Sequence, residues 1–349
     1  MSIYKSPLRE FTVLLLAVLF VIPTFAQQNL TQPRVSQQAS VSQRVGLTDI
    51  TINYHRPGVK GREIWGALVP YGQVWRAGAN ENTTISFSTR VNISGEEIPA
   101  GKYGLHMIPT ENEWTIILSK DNAAWGSFFY DESHDQLRFT VTRESAEYEE
   151  WLSYSFSDVT PNSTTISLRW EKLNVSFKID VNVSQLVAEN MEKELTGLPG
   201  FGWQGWNQIA NYYLLNNMNI DKAISFIDQS IQINSNVTNQ FTKSVLLDVN
   251  GNTEEAKKLR EETFVNANEN QINTLGYQYL FSGKIDRAMH IFKKNVEMHP
   301  DSWNVYDSLG ECFAAAKDNK SAREYYTIAL EKAPEGQKDR IKGVLANLK

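Results

Sequence analysis

Between Tyr54 and Asn82 the chain gathers the side chains best suited to chemistry. Arg56, Lys60, Arg62 and Arg76 supply positive charge, and an arginine fork suits a carboxylate, phosphate or sulfate. Trp65 and Trp75 offer flat faces for a sugar ring or a stacked cation. Asn80 adds an amide, and glycines such as Gly58, Gly61 and Gly78 permit tight turns and close backbone approach. His55 opens the stretch. It lies opposite the apolar stripe Ile50, Ile52, Tyr54, and His106 lies opposite a second stripe, Tyr103, Leu105, Met107. Two histidines on polar strand faces could meet in one cleft.

Two kinds of chemistry follow. One is binding of a small anionic or carbohydrate ligand through His55, Arg56, Lys60, Arg62, Trp65, Trp75, Arg76, Asn80 and His106. The alternative is hydrolysis of an envelope glycan, with His55 and His106 as acid and base, Arg76 orienting an anion, and Glu63, Glu81 or Asp121 as carboxylate partner. Against both stands a structural reading, in which the histidines are hydrogen-bonded and the arginines order a long loop. The sequence carries no His-Glu-x-x-His spacing, nucleophile elbow or phosphate loop. The reading therefore leans away from an enzyme and names no catalytic residue, metal or cofactor. Cys312 is the sole cysteine, which excludes an intrachain disulfide and suits a buried thiol. A net charge of −6 argues against nucleic acid as partner.

These residues need elements to position them. From 43 to 183, short runs alternate apolar and polar residues, including Trp114, Ile116, Leu118 and then Leu137, Phe139, Val141. Leu152, Tyr154, Phe156, then Ile166, Leu168, Trp170, and finally Leu173 through Val181 follow the same rule. Such alternation predicts strands with one buried face, and their number predicts an antiparallel β-sandwich. Gly95 to Gly101 reads as a turn. Residues 27–42, rich in Gln, Ser and Thr, read as a flexible leader. A helix and a Gly/Pro linker fill 184–203, and everything beyond has helical period.

Near the C-terminus, Leu275, Gly276, Ala288, Phe292 and Pro300 return as Leu309, Gly310, Ala322, Tyr326 and Pro334, each pair 34 positions apart. That period predicts an α-helical solenoid of helix–turn–helix repeats. Four units are placed over 204–336, with a capping helix at 337–349. At the other end, Lys5 and Arg9 precede the apolar run Phe11 to Ile22, followed by small residues at Thr24 and Ala26. This reads as a signal peptide over 1–26, with export to a periplasm or beyond and no membrane span left after cleavage.

The repeats resemble the tetratricopeptide-repeat family, most closely from 269 onward. In that family the first helix of each unit lines a groove for a protein or peptide. Carried over, the resemblance implies a groove of Gln208, Tyr212, Asn270, Asn273, Tyr277, Asn304, Asp307 and Glu311. Its polar face with few cations disfavours capture of a free carboxylate tail. Residues 40–183 resemble the domain of unknown function twenty-nine eleven. The matching motifs are Tyr54 to Gly66, Val69 to Thr84, Pro99 to Glu111, Trp114 to Lys120 and Ala124 to Tyr130. That family transfers no established activity. The combined expectation is an exported, non-enzymatic binding or scaffold protein.

Overall fold

The computed structural model describes residues 32–348. The expected signal peptide, 1–26, lies outside the described residues. Among the described residues ten strands come first: β1 Gln37–Val45, β2 Thr48–Arg56, β3 Thr84–Phe87, β4 Val91–Ile93, β5 Glu96–Ile98, β6 Gly101–Ile108, β7 Glu113–Ser119, β8 Asp135–Thr142, β9 Glu144–Thr160 and β10 Ser163–Asp180. They form two antiparallel sheets, one ordered β1-β2-β3-β6-β7-β8 and the other β5-β4-β10-β9. The apolar stripes of both sheets meet in one core cluster running from Val45 to Leu186.

Three stretches depart from the sequence expectation. The leader predicted over 27–42 is strand from Gln37 onward, paired with β2 along its whole length. As an edge strand it buries Ala39 and Val41 only in part and Val45, at its end, fully, so most of its length stays polar. The predicted turn Gly95 to Gly101 contains β5, which pairs with β4 and buries Ile98. The two runs ending at Trp170 and beginning at Leu173 are a single strand, β10. The buried positions change parity between them because Glu171 adopts a φ of 56° and the register against β9 shifts there, as an inserted bulge residue requires.

Ten helices follow. The first, α1 Val183–Glu194, is capped by the Asn182 side chain, which accepts from the Gln185 amide. Four hairpins come next: α2 Trp203–Leu215 with α3 Ile220–Ile233, α4 Val237–Val249 with α5 Thr253–Val265, α6 Glu269–Phe281 with α7 Ile285–Met298, and α8 Trp303–Ala315 with α9 Asn319–Lys332. Ala223, Ala256, Ala288 and Ala322 sit fully buried near the start of each second helix. Gly276 has no room for a side chain, since a Cβ there would stand 2.4 Å from the Phe292 ring. The last helix, α10 Glu335–Asn347, starts slightly before the capping helix expected at 337. The sheets and helices join tightly. Gly46, at φ +58°, abuts Val183, and Arg90 makes two hydrogen bonds of 2.8 and 2.7 Å to Glu189 on α1. Among the described residues no helix is long and apolar enough to cross a membrane.

Candidate functional site

The loop from Pro57 to Thr83 uses much of its own chemistry to hold its shape. Trp65 and Trp75 turn towards the core, where they pack with Trp114 and Trp170 at centroid distances between 4.8 and 6.3 Å. The Trp75 indole donates to the Gly78 carbonyl. Arg62 donates to the carbonyls of Val59 and Gly58, folding the turn back on itself. Arg56 reaches across to the Leu152 carbonyl of β9 at 2.8 Å. The Lys60 amide donates to Glu150, and its ammonium lies over Trp151. These five residues, expected on a ligand cleft, are engaged within the β-unit: the arginines with backbone carbonyls, the tryptophans in the core cluster, and Lys60 with Glu150 and Trp151. A loop of this length has many polar groups to satisfy before it can present any.

His55, Arg76, Asn80 and His106 remain on the outer face of the six-stranded sheet. His55 is 9 % exposed, its Nε2 is 3.4 Å from Glu81, and its Nδ1 is buried without a partner. Burial lowers its pKa; Glu81 opposes this, while the Arg34 and Arg76 charges reinforce it. Arg34 grips both Glu81 oxygens at 2.6 Å, and this holds the Glu81 carboxyl below its ordinary range. Glu81 is therefore suited to permanent negative charge rather than proton donation near neutrality. A cleft of about 550 Å³ opens here, lined by His55, Glu81, Arg34, Asn82, Lys102 and Asn122.

His106 lies on the same sheet face but does not meet His55. Its Nδ1 is 2.8 Å from the Ser127 hydroxyl and its ring is beside Tyr130. Burial pushes its pKa down to about 4 against the opposing pull of Asp135 and Asp121. Asn82 ties the facing turn in place: its Nδ2 donates to the Gly126 carbonyl and its Oδ1 accepts from the Ala124 amide. His134 pairs with Asp121 at 2.7 Å, and among the described residues Asp121 hydrogen-bonds neither His55 nor His106. Glu63 is exposed on the loop.

Arg76 differs from its neighbours. It is half-buried, its Nε is enclosed without a partner, and burial alone lowers its pKa. The next residue, Ala77, is fully buried at a φ of 51°, and its carbonyl accepts from both Thr83 and Tyr154. A non-glycine residue held in this region stores strain, and such strain gathers at functional sites. Asn80, also at positive φ, donates to the Ser36 carbonyl. Sequence reasoning missed Arg34, Asn82 and Ser127. They carry no periodic signal, and only the fold brings them to this face. Among the described residues no group of three or more His, Cys, Asp or Glu could hold a metal ion.

Residues 36–179 match the family described as protein of unknown function (DUF2911). The DUF2911 match thus spans β1 through nearly all of β10, loop and outer face included. No curated protein matches the chain. Among solved structures, the chain is similar to YrrB, a tetratricopeptide-repeat protein with an unusual peptide-binding site, at 18% identity over 45% of this chain and 82% of that one, TM-score 0.24. It is also similar to MamA of Desulfovibrio magneticus RS-1, at 11% identity over 42% and 82%, TM-score 0.25. PilF of Pseudomonas aeruginosa matches at 18% identity over 42% and 67%, TM-score 0.23.

Beside the DUF2911 unit, the helices enclose a second concavity of about 780 Å³. Leu47 from the β1–β2 turn, Met191 of α1, Leu195 just after it, and residues of α2, α4 and α6 line it. Gln208 and Tyr212 both open onto it, next to Asn207 and Asn211. The other groove residues lie elsewhere. Tyr277 donates to Glu311 at 2.8 Å, Asn304 to Glu269 at 3.1 Å, and Asp307 is paired with Arg340 of α10 at 2.8 Å. Asn270 is exposed, and the Asn273 Oδ1 is buried without a partner. The helical face inferred from the repeat pattern is therefore divided. Its first part is open, and much of its last part is bound to itself and to α10.

Proposed function

We propose that this protein is an exported, non-enzymatic scaffold, in which the repeats, stacked as a solenoid, dock an extended segment of a protein partner. The β-sandwich unit binds a small anionic or carbohydrate ligand on its outer face. Export rests on the apolar run near the N-terminus. One observation carries the docking reading: the concavity between α1, α2, α4 and α6. Its lining includes the amides of Asn190, Gln204, Asn207, Gln208, Asn211 and Gln278, and among the described residues Glu194 is its only charged one. Asn207 is among these amides, and its Oδ1 is buried without a partner. Side-chain amides beside Tyr212, Met191 and Leu195 suit an extended chain that has both peptide groups and apolar side chains to satisfy.

The test is selection of short random peptides on the full chain, followed by affinity measurement against a Gln208→Ala/Asn211→Ala/Tyr212→Ala variant. Selected peptides should lose at least about tenfold in affinity, equivalent to ~1.4 kcal/mol. Peptides that bind both proteins equally would place docking elsewhere.

A further inference from the structure

We infer that Arg76, Gly126 and Phe128 form a subsite for a small apolar monocarboxylate. The inference rests on the ligand-binding reading of the β-unit and names the ligand's chemistry.

Arg76 is the starting point. Every other described arginine of the β-unit donates to a carboxylate or a carbonyl. Arg76 has no hydrogen bond or ion pair among the described residues, although it is half-buried. A guanidinium partly removed from water and left unpaired is costly unless an anion completes it. Its backbone is not free to relax, because Tyr154 and Thr83 clamp the Ala77 carbonyl at positive φ.

Gly126 faces it. A Cβ at Gly126 would stand 3.2 Å from the Arg76 Nη1 and 3.0 Å from the Phe128 ring, so the cation and the ring are neighbours across a residue with no side chain. The turn is pinned at this spot: the Gly126 amide donates to the Asn80 carbonyl, and its own carbonyl accepts from Asn82. Beyond it, Phe128 and Phe129 are 78 % and 76 % exposed, and Trp125 is 50 % exposed. Exposed aromatic rings clustered on one turn mark a surface that gains by being covered.

Charge selects the class of anion. Both histidines of this face are held towards the neutral form by burial, and Arg34 is already neutralised by Glu81. Arg76 is therefore the unpaired cation beside the rings, with Asp135 and Glu81 on the same sheet face, while Lys102 lies in the neighbouring cleft with His55 and Asn122. A single fork matches a planar monoanion bidentately, whereas a phosphate dianion would keep unpaired charge. The adjoining rings call for an apolar body behind the carboxylate.

The experiment uses the full chain and titration calorimetry with phenylacetate, phenylacetamide and inorganic phosphate. Phenylacetate should bind saturably and phenylacetamide at least tenfold more weakly. Arg76→Gln should weaken phenylacetate at least tenfold. Phe128→Ala, at an exposed position and with its folding checked by circular dichroism, should weaken it several-fold. If Arg76→Gln does not fold, the acid–amide comparison and Phe128→Ala still decide. Equal binding of acid and amide, unchanged binding in Phe128→Ala, or phosphate binding tighter than phenylacetate would each overturn the proposal. Maltotriose and N,N′-diacetylchitobiose form a separate arm. If a glycan binds and phenylacetate does not, the carboxylate subsite falls and the ligand-binding reading stands. If none of these probes binds, the subsite falls and the helical groove remains to be judged by its own test.

Discussion

His106 should stay uncharged down to acidity that protonates an ordinary imidazole. It is 3 % exposed, its Nδ1 is engaged with Ser127, and desolvation lowers its pKa from 6.5 to about 4 although Asp135 and Asp121 pull the other way. The unfolded chain takes up this proton near pH 6.5 and the native protein only near 4. The contribution is therefore fully present above 6.5 and is lost as pH falls between those values. At about 1.4 kcal/mol per pH unit, the loss amounts to about 3 kcal/mol. In ¹⁵N-histidine NMR of the full chain, assigned with His106→Gln, the His106 midpoint should fall below 5. His134, raised by its hydrogen bond to Asp121, should titrate above 6.5 and serves as the internal contrast. In urea unfolding, wild type should lose stability relative to His106→Gln on going from pH 7 to 4. A His106 midpoint at 6 or above, or a difference that does not change with pH, would refute the argument that burial outweighs the two carboxylates.

Two further substitutions test packing. Alanine at Gly276 would drive its Cβ into Phe292 at 2.4 Å, whereas alanine at Gly343, in α10, meets nothing within 4 Å. Helix propensity favours alanine by about 1 kcal/mol at both sites, but overpacking costs about 1–3 kcal/mol at the first, so thermal unfolding should show Gly343→Ala stabilised and Gly276→Ala destabilised. Cys312 is fully buried and burial pushes its thiol up to about 11. Ellman's reagent should therefore leave the native chain unlabelled at pH 8 and modify one thiol per chain in denaturant.

The parts of this molecule legible in its sequence are those where one face of an element is buried and the other is wet. β2, β6 and β7 announce themselves because Ile50, Ile52 and Tyr54, Tyr103, Leu105 and Met107, and Trp114, Ile116 and Leu118 must all point inwards. The last two hairpins do so because the same close contact recurs: Gly276 lies against Phe292 and Gly310 against Tyr326, 34 positions on. β1 escapes because an edge strand can stay polar, and the break in β10 is invisible because a single bulge changes which parity is buried. Residue type is a poorer guide to the site, since type says what a side chain can bind and not what it already holds. Arg62 and Arg76 belong to one loop and carry the same group. Arg62 is spent on the carbonyls of its own turn, three and four residues back. Arg76 finds no such partner, and its neighbour Ala77, at positive φ, is held through its carbonyl by Tyr154 from β9, a strand distant in sequence. The same logic divides the groove: Asp307 is indistinguishable from an open groove residue until α10 brings Arg340 against it. Which charged groups remain unpaired is decided by long-range contacts, so the candidate site emerges only once the chain has folded.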